Sequence, residues 1–292
     1  MPRAPPALPI QMREVTTRRV ALALLALGML ACRGDAAADP AANRATVEAA
    51  PDAPAVPVVA DAPPAPADDF DALLAGIEAA QRRLGARWRA AADDDERAAI
   101  RAETRRTLVD TIADELFPRW LGTPWGLGKN STATRPHEAA MTVGCSYFVT
   151  SVLQNAGLAL DNRYRFAQAP ALHIQGSLAP GRGSIHRFLS IAPAKLERRI
   201  RALGEGLYLI GLNNHIGFVL VRAGLVRFVH ASYTGDQQVS DEPLVAAEAI
   251  ANSQKAGYFV SPVFAAGADG DEANAWLVER WLEAEAVTFV AQ

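Results

Sequence analysis

Apolar residues recur at helical spacing in two early stretches of the chain. Phe70, Leu73, Leu74, Ile77, Leu84 and Trp88 fall mainly on one face of a helix, with Asp68 or Asp69 placed to cap its start. Ile100, Thr104, Thr107, Leu108, Ile112 and Leu116 make a second stripe over residues 94–117, which Pro118 should end. Together they predict a helical hairpin over 68–118, whose charged residues form a solvated face. A loop rich in Gly, Thr and Pro follows over 121–143, and residues 146–156 then read as a mostly apolar helix closed by Gly157. The pattern then changes. Residues 206–212, 215–221 and 225–231 read as strands, and 256–264 as a further strand that Pro262 assigns to a sheet edge. Residues 271–283 predict a terminal helix carrying Trp276, Leu277 and Trp281.

The segment before this folded region reads differently. Arg13, Arg18 and Arg19 precede an unbroken run of apolar or small residues from Val20 to Ala31, about a dozen residues and too short to span a bilayer needing roughly 20. The run ends in Met29-Leu30-Ala31-Cys32, which resembles the lipobox of bacterial lipoproteins and implies Cys32 as the lipidated residue. The alternative is an ordinary signal peptide with Cys32 incidental to it. Residues 33–67 are dominated by Ala, Pro and Asp and lack aromatic residues, so they predict a disordered tether. The expected organisation is a signal peptide over 1–32, a linker over 33–67, a helical extension over 68–118 and one catalytic domain over 119–292.

Charge narrows the partners. A formal net charge of −3 leaves no basic footprint for nucleic acid. The chain has 2 cysteines, so removal or lipidation of Cys32 leaves Cys145 without an intramolecular disulfide partner. A lone thiol in an oxidising compartment is a liability unless it is buried or used.

Cys145 follows Gly144 at the head of the helix predicted over 146–156. Backbone N–H groups at a helix N-terminus favour thiolate over thiol and can stabilise an oxyanion. The alternative is an inert thiol packed as a small hydrophobe. Two histidines bear on the choice. With Ala223-Gly224 as a hairpin tip, His230 lies opposite Gly217, and His215 lies two residues along on the same face. Diagonal neighbours of this kind have Cβ atoms roughly 7 Å apart, close enough for two imidazoles to meet. One ring can then take the thiol proton while the other orients it. His215, beside Asn213 and Asn214, is the expected base and His230 the orienter. A structural pair of histidines and a zinc site are the alternatives, although the ligand spacing for zinc is poor.

The ordered set Leu121-Gly-Thr-Pro-Trp125-Gly126, Gly144-Cys-Ser-Tyr-Phe-Val149, 206–210, His215-Ile-Gly-Phe-Val219 and Arg227-Phe-Val-His-Ala-Ser232 resembles the NlpC-type papain-like peptidases of bacterial cell walls. The resemblance covers roughly residues 121–232. It implies an α+β papain-like fold in which the core's first helix carries the cysteine and packs on an antiparallel sheet, here with the added N-terminal helical hairpin. It also implies hydrolysis of amide bonds in peptidoglycan stem peptides without cofactor or metal, with Cys145 as nucleophile, His215 as base and His230 as third member. Two positions depart from the family. Gly144 stands where Asp commonly contacts the substrate amine, and Trp125 stands where Tyr commonly aids the oxyanion. Trp125, Tyr147, Ser146 and Asn214 are the candidates for oxyanion or substrate contacts. The expected setting is the bacterial envelope, with a lipid anchor to a membrane. An amidase or acyltransferase of the same fold, and a catalytically dead binding lipoprotein, remain alternatives. His137, His173 and His186 are expected to be structural or incidental, Gly181-Arg-Gly183 lacks the features of a phosphate loop, and Asp161, Arg163 and Arg165 could line a cleft.

Overall fold

The computed structural model describes residues 67–181, 183–267 and 273–290. The signal segment, Cys32 and almost all of the linker lie outside the described residues. Among the described residues no helix is long and apolar enough to cross a membrane.

The fold is α+β, built on an open six-stranded antiparallel sheet. Its strands are β1 (His186–Phe188), β2 (Gly206–Leu212), β3 (His215–Arg222), β4 (Leu225–Ala231), β5 (Val239–Pro243) and β6 (Tyr258–Ala265), in spatial order β1-β6-β2-β3-β4-β5. The helices are α1 (Ala67–Ala90), α2 (Asp94–Asp110), α3 (Phe117–Trp120), α4 (Cys145–Asn155), α5 (Arg163–Ala167), α6 (Ala171–Leu178), α7 (Pro193–Arg201), α8 (Glu248–Asn252) and α9 (Ala275–Glu283).

Both faces of the sheet are covered. Leu207, Leu209, Ile216, Phe218, Val229 and Ala231 share a core with α4, α1, α2 and α9. Tyr208, Ile210, Val219, Val221, Val226 and Phe228 pack against Leu196 and Ile200 of α7 and against α8. Double coverage explains why β2 is buried at every position instead of alternating. The first two helices are continuous with this core, since Phe70, Leu84, Ile100 and Leu108 belong to the same buried cluster as the sheet residues and Trp281.

Several local expectations need correction. Helix α1 already runs from Ala67, so Asp68 and Asp69 lie within its first turn; Asp69 accepts a hydrogen bond from Arg119. Pro118 does not end the second helix. Residues Thr111–Leu116 form a π-helical segment, and Pro118 then enters the first turn of α3, where a missing N–H costs little. Strand β6 is not an edge, because it pairs with β1 on one side and β2 on the other. However, β1 covers only Tyr258 to Val260, so Pro262 falls where that side of β6 has no neighbour and no donor is missed.

Two sets of contacts fix α4. The rings of Phe117, Trp120 and Phe218 lie within 6.4 Å of Phe148. Each buried ring contributes about 1.5–3 kcal/mol, and well-oriented ring pairs add about 0.5–1.5 kcal/mol. At the far end of the helix, Trp281 Nε1 donates to Ala156 O at 2.8 Å, while Gln81 Nε2 donates to Gly157 O at 3.1 Å and Trp281 O at 2.8 Å. The helix that carries the cysteine is therefore held along its face by the sheet and at its tail by α1 and α9.

Candidate active site

Cys145 opens α4, with Gly144 as an extended cap residue. The first intrahelical bond is from Phe148 N–H to Gly144 O, so the N–H groups just before Phe148 are left to serve other acceptors. The approach to Cys145 is ordered by its neighbours. Trp125 N–H donates to Gln237 O at 2.8 Å, Val143 N–H to Pro124 O at 2.9 Å, and Gly144 N–H to Ser131 O at 2.9 Å. Arg163 holds the same loop from below, its Nη2 donating to Thr132 O, Ala133 O and Ser151 Oγ. This buried guanidinium is a structural tie and not a cleft residue.

The hairpin between β3 and β4 has the expected register. Phe218 pairs with Val229 and Arg222 with Leu225. Ala223 and Gly224 both take positive φ, at 50° and 75°, as a tight two-residue turn between twisted strands requires. The ladder stops at Phe218. Beyond it, the Ile216 N–H donates to the Cys145 sulfur. The thiol thus sits where β3 and β4 part, one residue from His215.

The two imidazoles meet on one side of the sheet. His215 Nε2 lies 2.8 Å from His230 Nδ1, with the ring planes 79° apart. His230 is fully buried and stacks on Phe228 at 4.0 Å between ring centroids. Gly217 makes this possible: a Cβ there would lie 2.7 Å from His230 Cβ and 2.6 Å from Phe228 Cε2. His230 Nε2 in turn lies 2.9 Å from Glu242 Oε1 on β5.

Burial governs both Cys145 and His215. It lowers the His215 pKa to about 3, with the neighbouring His230 a further cause. It also raises the Cys145 thiol, although N–H groups of Ile216, Ser146 and Cys145 itself and the Ser146 side chain pull the other way. The helix-terminus effect expected from the sequence is present but outweighed, because the sulfur is closely surrounded by protein even though Cys145 retains some surface exposure. At neutral pH the site rests as thiol and neutral imidazole, not as an ion pair.

The other candidates divide. Trp125 lies one ring removed from His215: its ring is 6.4 Å from that of Tyr233, which lies 5.1 Å from His215. Ser146 lies against both the Cys145 sulfur and Ala167 O. Tyr147 accepts from Gln168 at 3.3 Å and packs on Tyr164 and Arg163, which leaves its O–H free to donate. Asn214 is an exposed turn residue with φ of 60°, where its small polar side chain tolerates the left-handed conformation that closes the β2–β3 hairpin. Asp161 accepts from Phe289 N–H, and Arg165 lies over the Phe289 ring. His186 stacks near Phe188, away from the pair.

Glu242 and Tyr233 were missed. Strand β5 reads Val-Ser-Asp-Glu-Pro, too polar to register as a strand, and Tyr233 lies in the loop between β4 and β5. The available signal was that a second strand edge had to lie beside His230. Among the described residues no three His, Cys, Asp or Glu side chains gather as a metal ion would need. Set against protein-family models, curated proteins and solved structures, the chain matches none.

Proposed function

We propose that this protein is a papain-like cysteine hydrolase that cleaves amide bonds, with peptidoglycan stem peptides as its substrate and a Cys32 lipid anchor holding it in the bacterial envelope. One observation carries the reading: the Cys145 sulfur accepts the Ile216 N–H at the parting of β3 and β4, one residue along the strand from a histidine whose ring is tied to a second. In the reaction His215 accepts the thiol proton as the sulfur attacks the carbonyl carbon. The tetrahedral oxyanion is stabilised by N–H groups at the head of α4. The C–N bond then breaks, and His215 returns the proton to the leaving amine. Water, deprotonated by His215, adds to the thioester and releases the acid and the thiol.

Gly144 and Trp125 favour a second reading of the substrate, an amide or ester outside the cell wall. Position 144 carries no carboxylate for a free amine, and Trp125 and Tyr233 give the approach to His215 an aromatic wall. Mass spectrometry of peptidoglycan fragments and of simple acyl amides and esters, after incubation with the purified protein, tests both readings. New cleavage products are expected with the wild type and none with Cys145→Ala. Activity that persists in Cys145→Ala refutes the assignment, and inertness toward every substrate favours the binding lipoprotein.

A further inference from the structure

We infer that Glu242 is a positioning residue which, acting through His230, holds His215 in the tautomer that can accept the Cys145 proton. The inference rests on reading Cys145 and His215 as nucleophile and base, but its geometry stands apart from any substrate.

A carboxylate oxygen only accepts hydrogen bonds, so the 2.9 Å contact of Glu242 Oε1 with His230 Nε2 requires the proton of that ring on Nε2. With the ring neutral, His230 Nδ1 then carries a lone pair. The 2.8 Å contact between His230 Nδ1 and His215 Nε2 can be a hydrogen bond only if His215 is protonated at Nε2. The remaining nitrogen, His215 Nδ1, is left with its lone pair as a base needs. With the opposite His215 tautomer, two lone pairs would face each other at a site where His230 is fully buried and His215 is 4% exposed. Water has little room to relieve that conflict.

The order also holds once His215 has taken the thiol proton. Its Nε2–H still donates to His230, and the negative charge of Glu242 lies one ring away from the new imidazolium. No second proton has to move. Glu242 can act in this way because it stands on β5 opposite Phe228, two residues short of His230 along β4, so its side chain reaches His230 diagonally on the face both share. Its side chain is 32% exposed, so it forms the outer end of a relay that runs inward to His215.

Imidazole ¹⁵N NMR on the full chain labelled at histidine tests the relay directly. The chain has 5 histidines, so His215→Gln and His230→Gln assign the two signals of interest. A proton on Nε2 of both rings and a bare Nδ1 on His215 are expected. Glu242→Leu removes the acceptor and should shift His215 toward the Nδ1–H form, whereas Glu242→Gln, which keeps an acceptor oxygen, should largely restore it. The alkylation rate of Cys145 and kcat should fall in Glu242→Leu with KM unchanged, by up to about 10⁴-fold if the tautomer reverses fully. A wild-type His215 protonated at Nδ1, or an unchanged tautomer in Glu242→Leu, overturns the inference. If Glu242→Leu does not fold, the wild-type tautomers alone decide the matter. The expected tautomers in a protein that hydrolyses nothing would uphold the relay and sink the hydrolase reading instead.

Discussion

Adding a single methyl group at Gly217 should damage both stability and chemistry, and the cost follows from the space available. A Cβ at this position would sit 2.6 Å from Phe228 Cε2, 2.7 Å from His230 Cβ and 3.1 Å from Phe228 Cζ, where carbon pairs prefer about 3.5–4.0 Å. Relief requires movement of close to an ångström. Phe228 is fully buried and stacked on His230, and His230 is bonded through both ring nitrogens, so neither can yield alone. Overpacking of this kind costs about 1–3 kcal/mol, and each kcal/mol lowers Tm by about 2–4 °C in a domain of this size. Misplacing an orienting ring by about 1 Å can cost around 10²-fold in rate. Gly76 in α1 provides the control, since nothing lies within 4 Å of a Cβ built there; Gly76→Ala should be neutral or stabilise by up to about 1 kcal/mol. Urea unfolding followed by circular dichroism measures both variants. If Gly217→Ala is as stable as Gly76→Ala, the tight packing around the histidine pair is wrong.

Two further predictions concern protons. His215 binds its proton more weakly when folded, with a pKa of about 3, than when unfolded, at about 6.5. Unfolding therefore takes up a proton between those values, and stability should fall by on the order of a few kcal/mol as pH drops from about 6.5 toward 3. This fall should be reduced in His215→Gln, as read from urea midpoints at pH 7 and 4.5. Because burial raises the thiol, the rate of iodoacetamide labelling of Cys145 should climb with a midpoint above the ordinary thiol value of about 8.5; a midpoint below it would mean that a stable ion pair forms after all.

The parts of the fold that could be read in the sequence are those whose pattern is local and apolar. The β3–β4 hairpin was legible to the residue, because a two-residue turn fixes the register and the register fixes which side chains share a face. Meeting of the histidines followed from that arithmetic. Strand β5 and the short strand β1 were not legible, since both are polar and owe their pairing to neighbours distant in sequence. The protonation of the site was hidden for a related reason. A helix N-terminus is visible in a sequence, whereas the crowding around a sulfur depends on every element that packs there, and here crowding outweighs the dipole.

The anchoring of α4 by Trp281 and Gln81 has a bearing on synthesis. The cysteine helix leans on a side chain made more than a hundred residues after it, and contacts so widely separated along a chain form late. A nascent protein short of residue 281 would carry the thiol on an unsecured helix. The head of α4 should therefore become ordered abruptly, when the C-terminal helix docks.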